Sequence, residues 1–200
     1  MKKIPTLFLR EFDNHKIVDV KPIITKGCEE AFLHGTATVK KDGSCCAIIG
    51  DKLYKRYDCK NGKPIPKGAI KCQEEADPIT GHLPCWVECN ESNPADKWFI
   101  KAAEERMKYE AKVPLECVIT FEAIGKHFNG NPYGLDYDTI VRHGDDVVEV
   151  ERTFDGVKRW LTENNEEGLV FWYKGEPVCK IKRSDFGLPW GRQQNHKGDK

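Results

Sequence analysis

Short stretches of alternating apolar and polar residues cover most of the chain, and this two-residue period is typical of half-buried β-strands. Two stretches instead repeat apolar residues at helical spacing, and each begins with a helix-capping residue, Asn93 (followed by Pro94) or Thr153. They predict helices over 93–109 and 153–164. The predicted strands cover residues 6–9, 16–20, 36–41, 44–49, 52–58, 85–89, 115–125, 139–143, 147–150, 166–173 and 178–183. Many antiparallel strands interrupted by two helices predict an α+β fold.

The stretch 36–49 places β-branched and apolar residues on both sides of an Asp42-Gly43 pair. An Asp-Gly pair in this setting is a strong signal for a β-hairpin, so we predict two paired strands joined by a tight turn. Lys40 then lies at the mouth of the turn, where rigid backbone would hold a lysine suited to act as a nucleophile. A solvent-exposed hairpin lysine is the alternative that this short motif leaves open.

The chain has 200 residues, with 32 lysines and arginines balanced by 32 aspartates and glutamates. Because the net charge is zero, any nucleic-acid surface must be a local patch. The length suits one domain, so we expect a single domain over residues 1–200 with a loose tail from about 187. No apolar run has the length of a membrane span, and the N-terminus lacks the apolar core of a signal peptide. These features predict a cytoplasmic or nuclear protein without a membrane partner.

The nine cysteines form an odd-numbered set without an export signal, which favours reduced thiols over a disulfide framework. Cys85 and Cys89, with Cys72 and His82 nearby, offer possible zinc ligands. Their spacing does not match that of a zinc finger, so structural zinc is not the favoured interpretation. We expect most cysteines to be small core residues.

Charged residues also stand out in two predicted strands. Glu122 lies near the end of an otherwise apolar strand. A buried glutamate is costly unless it has partners, so Glu122 either pairs with another group of the fold or binds hydroxyl groups at a site. Lys180 and Lys182 share one face of the last strand, while Cys179 and Ile181 occupy the other. Two cations on one face indicate an anion opposite them, a phosphate or a carboxylate. A solvent-exposed edge kept soluble by lysines is the alternative.

Five motifs follow one another in a characteristic order: Lys40-x-Asp42-Gly43, Arg56, Phe121-Glu122, Glu167-Gly168-Leu169-Val170 and Lys180-Ile181-Lys182. This order resembles the covalent nucleotidyltransferase superfamily, which contains ATP-dependent RNA and DNA ligases and mRNA capping enzymes. The resemblance extends from about residue 36 to 183. The sequence Lys-x-Asp-Gly-Ser-Cys-Cys is most similar to the ATP-dependent 5′-3′ RNA ligases that carry Lys-x-Asp-Gly-x-Cys-Cys. Val39 departs from the acidic residue that many ligases have before the lysine.

The resemblance implies a nucleotidyltransferase (adenylation) domain, with two antiparallel sheets and flanking helices around a nucleotide cleft. Larger ligases add an oligonucleotide-binding (OB) barrel after the last motif, whereas this sequence stops shortly past Arg183, so we expect no C-terminal OB domain. It also implies an ATP-dependent RNA ligase that joins 5′-phosphate and 3′-hydroxyl ends of RNA. In such ligases AMP passes from ATP to a lysine, forming lysyl-AMP, and then to the RNA end, forming adenylylated RNA. A DNA ligase is an alternative, and the double-cysteine motif favours RNA.

The resemblance also implies roles for individual residues. Lys40 is the nucleophile, while Lys180 and Lys182 are catalytic residues that also bind the nucleotide. Glu167 is expected to bind the nucleotide and is a possible ligand of a magnesium or manganese ion. Arg56 corresponds to the arginine that contacts the nucleotide and later the 5′-phosphate of RNA.

Glu122 corresponds to the carboxylate that accepts hydrogen bonds from the ribose of the nucleotide. In the family a side chain also stacks on adenine. The sequence does not assign this residue, and the candidates are Phe121, Val141 and His143.

Two further functions remain open at this point. A capping-type guanylyltransferase would form its lysine adduct from GTP instead of ATP. A nucleic-acid-binding module could retain the fold without the reaction, using basic and aromatic residues to contact RNA backbone and bases. The residues available for this are Lys55, Arg56, Tyr57, Arg183 and Trp190.

Overall fold

Antiparallel strands dominate the computed structural model, which describes residues 1–14, 16–110, 114 and 117–191. Within these residues the strands are β1 (Phe8–Asp13), β2 (Lys16–Ile24), β3 (Thr36–Lys40), β4 (Ser44–Ile49), β5 (Lys52–Cys59), β6 (Ile70–Lys71), β7 (Leu83–Glu88), β8 (Val118–Gly125), β9 (Asp138–Arg142), β10 (Val147–Val148), β11 (Gly168–Tyr173) and β12 (Glu176–Lys182). The α-helices are α1 (Glu29–His34), α2 (Lys97–Glu110) and α3 (Phe154–Glu163), with 3₁₀ helices at Pro94–Asp96 and Arg183–Phe186. The predicted α+β class is confirmed.

The predicted start of a strand at residues 115–116 and the predicted loose tail beyond 191 lie outside the described residues. Both predicted helices are present with their predicted caps. The Asn93 side chain accepts a hydrogen bond from the Ala95 amide, and the Thr153 hydroxyl accepts one from the Gly156 amide. None of the helices within the described ranges is long and apolar enough to cross a membrane.

The chain divides into two compact units, which are described separately. The first unit consists of residues 1–3 and 42–143, and the second of residues 4–41 and the chain from 144 onward. The first unit contains a six-stranded sheet of order β6-β7-β5-β4-β8-β9. The second contains a four-stranded sheet of order β10-β3-β11-β12 and the β1–β2 hairpin.

One face of the six-stranded sheet packs against α2 and forms the core of the first unit. The buried residues of this core are Cys46, Ile48, Leu53, Ala102, Ala103, Phe121, Ala123, Phe128 and Ile140. Successive residues of a strand point to opposite faces, so Cys45 and Glu122 lie on the other face. These two residues are direct partners on β4 and β8. The apolar core thereby fixes the strands that present a polar group on the opposite face.

The four-stranded sheet of the second unit is organised in the same way. Its buried core includes Leu7, Phe8, Phe32, Val157, Leu161, Leu169, Phe171, Cys179 and Ile181. The Phe32 ring lies edge-on to the rings of Phe8 and Phe171, with centroids 5.6 and 5.4 Å apart. Burying each such large apolar side chain contributes about 1.5–3 kcal/mol to stability. Because Cys179 and Ile181 point into this core, Lys180 and Lys182 share the other face, as predicted.

The predicted hairpin over 36–49 is wrong, because β3 and β4 do not pair with each other. β3 lies between β10 and β11, and β4 lies between β5 and β8, so neither strand has a free edge for the other. The amide of Asp42 donates to the Tyr133 hydroxyl at 2.8 Å, and the amide of Gly43 donates to the Glu122 carboxylate at 3.1 Å. The Asp-Gly segment therefore makes tertiary hydrogen bonds where a hairpin would need a turn.

Candidate active site

The predicted nucleophile and one of the predicted catalytic lysines are brought together on the four-stranded sheet. Gly168 on β11 pairs directly with Lys40 on β3 and with Lys182 on β12. Residues paired across neighbouring strands project from the same face. Since the central residue is a glycine, no side chain separates the two lysines.

A single carboxylate bridges these lysines. The two oxygens of Glu167 lie 2.5 Å from the Nζ atoms of Lys40 and Lys182, Oε2 contacting Lys40 and Oε1 contacting Lys182. Glu167 is only 5% exposed, so these charge-assisted hydrogen bonds are largely shielded from water. The anion expected near the lysines is thus a glutamate of the chain itself. Two cations and one anion leave a net positive charge that would attract a phosphate.

Gly168 is required at its position by the close approach of β12. A Cβ atom at this residue would lie 2.2 Å from the carbonyl oxygen of Ile181, far inside the contact distance.

Lys180, the other predicted catalytic lysine, lies two residues before Lys182 on the same face of β12 and pairs with Val170 on β11. Its backbone amide donates to Pro5 and its carbonyl accepts from Leu7, which ties this part of β12 to the N-terminal segment.

The adjacent lysine, Lys41, has a different environment. Its Nζ atom lies 3.1 Å from carboxylate oxygens of both Glu166 and Asp146. Lys40 and Lys41 therefore contact different members of the Glu166-Glu167 pair. This separation makes Lys41 and Glu166 matched controls for substitutions of Lys40 and Glu167.

The polar group of the first unit is centred on Glu122. Its Oε1 atom accepts a hydrogen bond from the Gly43 amide at 3.1 Å, and its Oε2 atom lies 3.0 Å from Nε2 of His143. The Nδ1 atom of His143 lies 3.0 Å from the hydroxyl of Thr120. The glutamate predicted to need partners therefore has them, while 12% of its side chain is exposed.

Cys45 lies beside this glutamate, directly opposite it on β4. Burial, reinforced by the negative charge of Glu122, raises the pKa of the Cys45 thiol to about 12. The pKa of the neighbouring Cys46, which faces the apolar core, is also raised by burial. All nine cysteines have free side chains, and five of them are buried: Cys28, Cys46, Cys59, Cys85 and Cys179.

Sequence spacing did not identify the group of possible metal ligands that the structure brings together. Within the part of the chain that the structure describes, this group consists of Cys45, Glu122 and His143, whose ligand atoms lie within 4.8 Å of one another. The cysteines and histidine considered from spacing, at residues 72–89, do not form such a group there. Strand alternation shows which face of its own strand each residue occupies. The grouping of the three residues also depends on the register in which β4, β8 and β9 pair, and the sequence does not give that register.

Arg56 belongs to the first unit and lies on β5. Its Nε atom donates to Asp58 at 2.9 Å, and Nη1 donates to the carbonyl of Met1 at 3.3 Å. Burial opposes the charge of this guanidinium, but the hydrogen bond and charge of Asp58 outweigh it and raise the pKa of Arg56. Arg56 is thus a half-buried permanent cation.

Phe121 is excluded as the adenine-stacking residue because it is fully buried in the core against α2. Val141 and His143 are half-buried on the opposite face of the sheet.

Arg183, which the sequence suggested for contact with RNA, is buried in the second unit. Its guanidinium donates to the carbonyls of Leu161, Asn164 and Pro189, so its role is structural.

The core position of Phe121 leads to a stability prediction. We expect Phe121→Ala to lower the free energy of unfolding by about 3–5 kcal/mol, because it removes a buried ring and leaves a cavity. Urea denaturation of the variant and the wild type measures this change. Val141→Ala, at a half-buried position on the other face of the sheet, should lower the free energy of unfolding by less than Phe121→Ala does. If Phe121→Ala lowered the free energy of unfolding by less than about 1 kcal/mol, the assignment of Phe121 to the core would be contradicted.

The residues of the motifs therefore fall into two groups, one in each unit: Lys40, Glu167, Lys180 and Lys182 in the second, Arg56 and Glu122 in the first. Comparison with curated proteins confirms the resemblance of this chain to an RNA ligase family.

The similar proteins carry the name RNA ligase 1. The one from Danio rerio is 24% identical to this chain, and those from Rattus norvegicus and Pongo abelii are 23% and 22% identical. Each of these matches covers 94% of the chain and 82% of the relative. No protein-family model matches the chain.

Proposed function

We propose that this protein is an ATP-dependent RNA ligase with a nucleotidyltransferase (adenylation) fold, which joins 5′-phosphate and 3′-hydroxyl ends of RNA. The observation that carries the proposal is the cluster in which Glu167 bridges Lys40 of the Lys-x-Asp-Gly motif and Lys182 of the last motif. The RNA ligase 1 relatives support the choice of RNA as the substrate.

In the first step, the Nζ atom of Lys40 attacks the α-phosphorus of ATP. A phosphorus–nitrogen bond forms, the bond to pyrophosphate breaks, and one proton of the amine goes to solvent. Before this attack, the ammonium group of Lys40 must lose a proton to become a nucleophile. Glu167 Oε2, at 2.5 Å from this amine, is an acceptor positioned to take that proton. Lys182 and Lys180 provide positive charge on the same face, which would bind the phosphates and stabilise the charge that develops on them.

Magnesium or manganese fits the donor chemistry of this cluster. Both ions prefer oxygen ligands, and magnesium is commonly held by one or two carboxylates together with substrate phosphates. Glu167 would supply the carboxylate oxygen. The bound ion would add to the neutralisation of phosphate charge.

In the second step, AMP moves from Lys40 to the 5′-phosphate of RNA. In the third, a 3′-hydroxyl of RNA attacks this adenylylated end, a phosphodiester bond forms, and AMP leaves. We assign Arg56 to contact with the nucleotide and then the 5′-phosphate, as a permanent cation suits both. We assign Glu122 to the ribose hydroxyls, because a carboxylate offers about four acceptor positions, so Oε1 can accept from a hydroxyl in addition to the Gly43 amide, independently of Oε2.

The proposal predicts that the protein retains label from α-labelled ATP but not from α-labelled GTP. The purified chain is incubated with magnesium and either nucleotide and analysed on a denaturing gel. The labelled protein is then given RNA or DNA with 5′-phosphate and 3′-hydroxyl ends. We expect label to leave the protein, and joined product to form, with RNA.

Other outcomes would indicate other functions. Label from GTP alone would indicate capping-type chemistry, and transfer to DNA alone would indicate a DNA ligase. No label from either nucleotide, with folded protein that carries no AMP from its preparation, would contradict the enzyme proposal. Binding of RNA by that unlabelled protein would then favour a nucleic-acid-binding module.

A further inference from the structure

Three kinds of metal-ligating atom converge on the face of the six-stranded sheet opposite α2. They are the sulfur of Cys45 on β4, a carboxylate oxygen of Glu122 on β8 and a ring nitrogen of His143, which directly follows β9. All three ligand atoms lie within 4.8 Å of one another. Adjacent strands of one sheet carry these residues, so the apolar core on the opposite face holds their backbones in place.

Neighbouring groups orient two of these ligands. The Thr120 hydroxyl lies 3.0 Å from Nδ1 of His143, which leaves Nε2 directed toward Glu122. The Gly43 amide donates to Oε1 of Glu122, which leaves Oε2 directed toward His143. Metal-binding histidines and carboxylates usually have outer hydrogen bonds of this kind, which fix the orientation of the ligand atom.

We infer that Cys45, Glu122 and His143 form a binding site for a divalent transition-metal ion of the zinc class. A thiolate, an imidazole and a carboxylate together suit zinc, whereas magnesium prefers oxygen ligands alone. Three protein ligands leave the fourth position of a tetrahedral ion for water or a substrate atom. On binding, the thiol of Cys45 releases its proton to solvent, and the ion replaces the contact between His143 Nε2 and Glu122 Oε2. The proton that Nε2 donates to Glu122 moves through solvent to Nδ1, from which it can be donated to the Thr120 hydroxyl.

The surroundings permit an ion to enter and to be bound. The side chains of Glu122 and His143 are 12% and 16% exposed and give an ion access, while the thiol of Cys45 lies largely buried behind them. The cations near Cys45 are Arg56 and the amino group of Met1, and the Nε atom of Arg56 is paired with Asp58 at 2.9 Å. The ion would have two anionic ligands, the Cys45 thiolate and Glu122, which compensate its charge.

Cobalt(II) is the probe for this site because a thiolate ligand gives it a charge-transfer absorption band that zinc lacks. The metal-free, reduced full chain is titrated with Co²⁺ without ATP or RNA. We expect the band to saturate at one ion per chain. Addition of Zn²⁺ should abolish it, and addition of Mg²⁺ should not. Because no nucleotide is present, failure of this test is distinct from failure of the ligase proposal.

Variants locate the ion. Cys45→Ser and His143→Ala should each abolish the band, and Cys117→Ser, at an exposed cysteine, should leave it unchanged. Thr120→Val keeps all three ligands but removes the hydroxyl next to His143, so we expect it to weaken Co²⁺ binding by roughly 10–100-fold.

Several results would overturn the assignment. They are the absence of a band in the wild type, a band that survives Cys45→Ser, and a band lost in Cys117→Ser. Circular dichroism shows whether each variant is folded. If Cys45→Ser does not fold, His143→Ala decides: a full-strength cobalt band in that variant would place the ion elsewhere.

Discussion

Lys40→Ala is expected to abolish transfer of AMP from ATP to the protein, whereas Lys41→Ala is expected to retain it. The two lysines are adjacent in sequence, but only Lys40 contacts Glu167 in the cluster with Lys182. Lys41 contacts Glu166 and Asp146 instead. Removing the nucleophile leaves no atom to receive the adenylate, so the labelling rate should fall roughly 10⁴-fold or more.

The measurement is the rate of label incorporation from α-labelled ATP, with circular dichroism as the control for folding. Lys40→Ala should fold, because Glu167 retains its ion pair with Lys182. RNA that already carries AMP on its 5′ end bypasses the first step, so Lys40→Ala should still join this RNA to a 3′-hydroxyl. Equal labelling of Lys40→Ala and wild type would contradict the assignment, as would loss of label only in Lys41→Ala.

Local signals predicted much of this fold, because they depend on few neighbouring residues. The capping residues Asn93 and Thr153 marked the starts of the two longer helical segments. Strand alternation placed Lys180 and Lys182 on one face of β12, with Cys179 and Ile181 on the other. In these cases the periodicity of one element, together with its capping residue for the helices, was sufficient.

The Asp42-Gly43 segment shows where local signals fail. Turn propensity favoured a hairpin, but the edges of β3 and β4 are occupied by strands distant in sequence. A Cβ atom at Gly43 would lie 2.1 Å from the carbonyl oxygen of Ala123, so the glycine is required by a tertiary contact. A turn motif does not contain information about such partners.

The candidate sites were predictable to different degrees. The motif order indicated Lys40, Glu167 and Lys182, but the bridging position of Glu167 depends on the register in which Gly168 meets both neighbouring strands. The grouping of Cys45 with His143 depends on the pairing of β4, β8 and β9, and no linear spacing expresses it. Non-local strand register is therefore what the sequence alone could not supply.

Glu167→Gln is expected to slow transfer of AMP to the protein by roughly 10²–10³-fold, a loss typical of removing one charge-stabilising group from an active site. The amide keeps the shape of the side chain but removes its charge. The Nζ groups of Lys40 and Lys182, whose side chains are 21% and 34% exposed, would then share one face without an anion between them. The amide would also be a poor acceptor for the proton that Lys40 must lose.

Glu166→Gln is the matched control, since it neutralises the adjacent carboxylate, whose contact is with Lys41. Single-turnover labelling with α-labelled ATP at several ATP concentrations separates binding from chemistry. A lower rate at saturating ATP for Glu167→Gln alone would show that its charge acts on the transfer of AMP. Equal reductions of the labelling rate in Glu167→Gln and Glu166→Gln would instead indicate a general effect of negative charge near β11. Normal labelling by Glu167→Gln would contradict the role proposed for the bridge, because Lys40 would then react without the carboxylate that holds it.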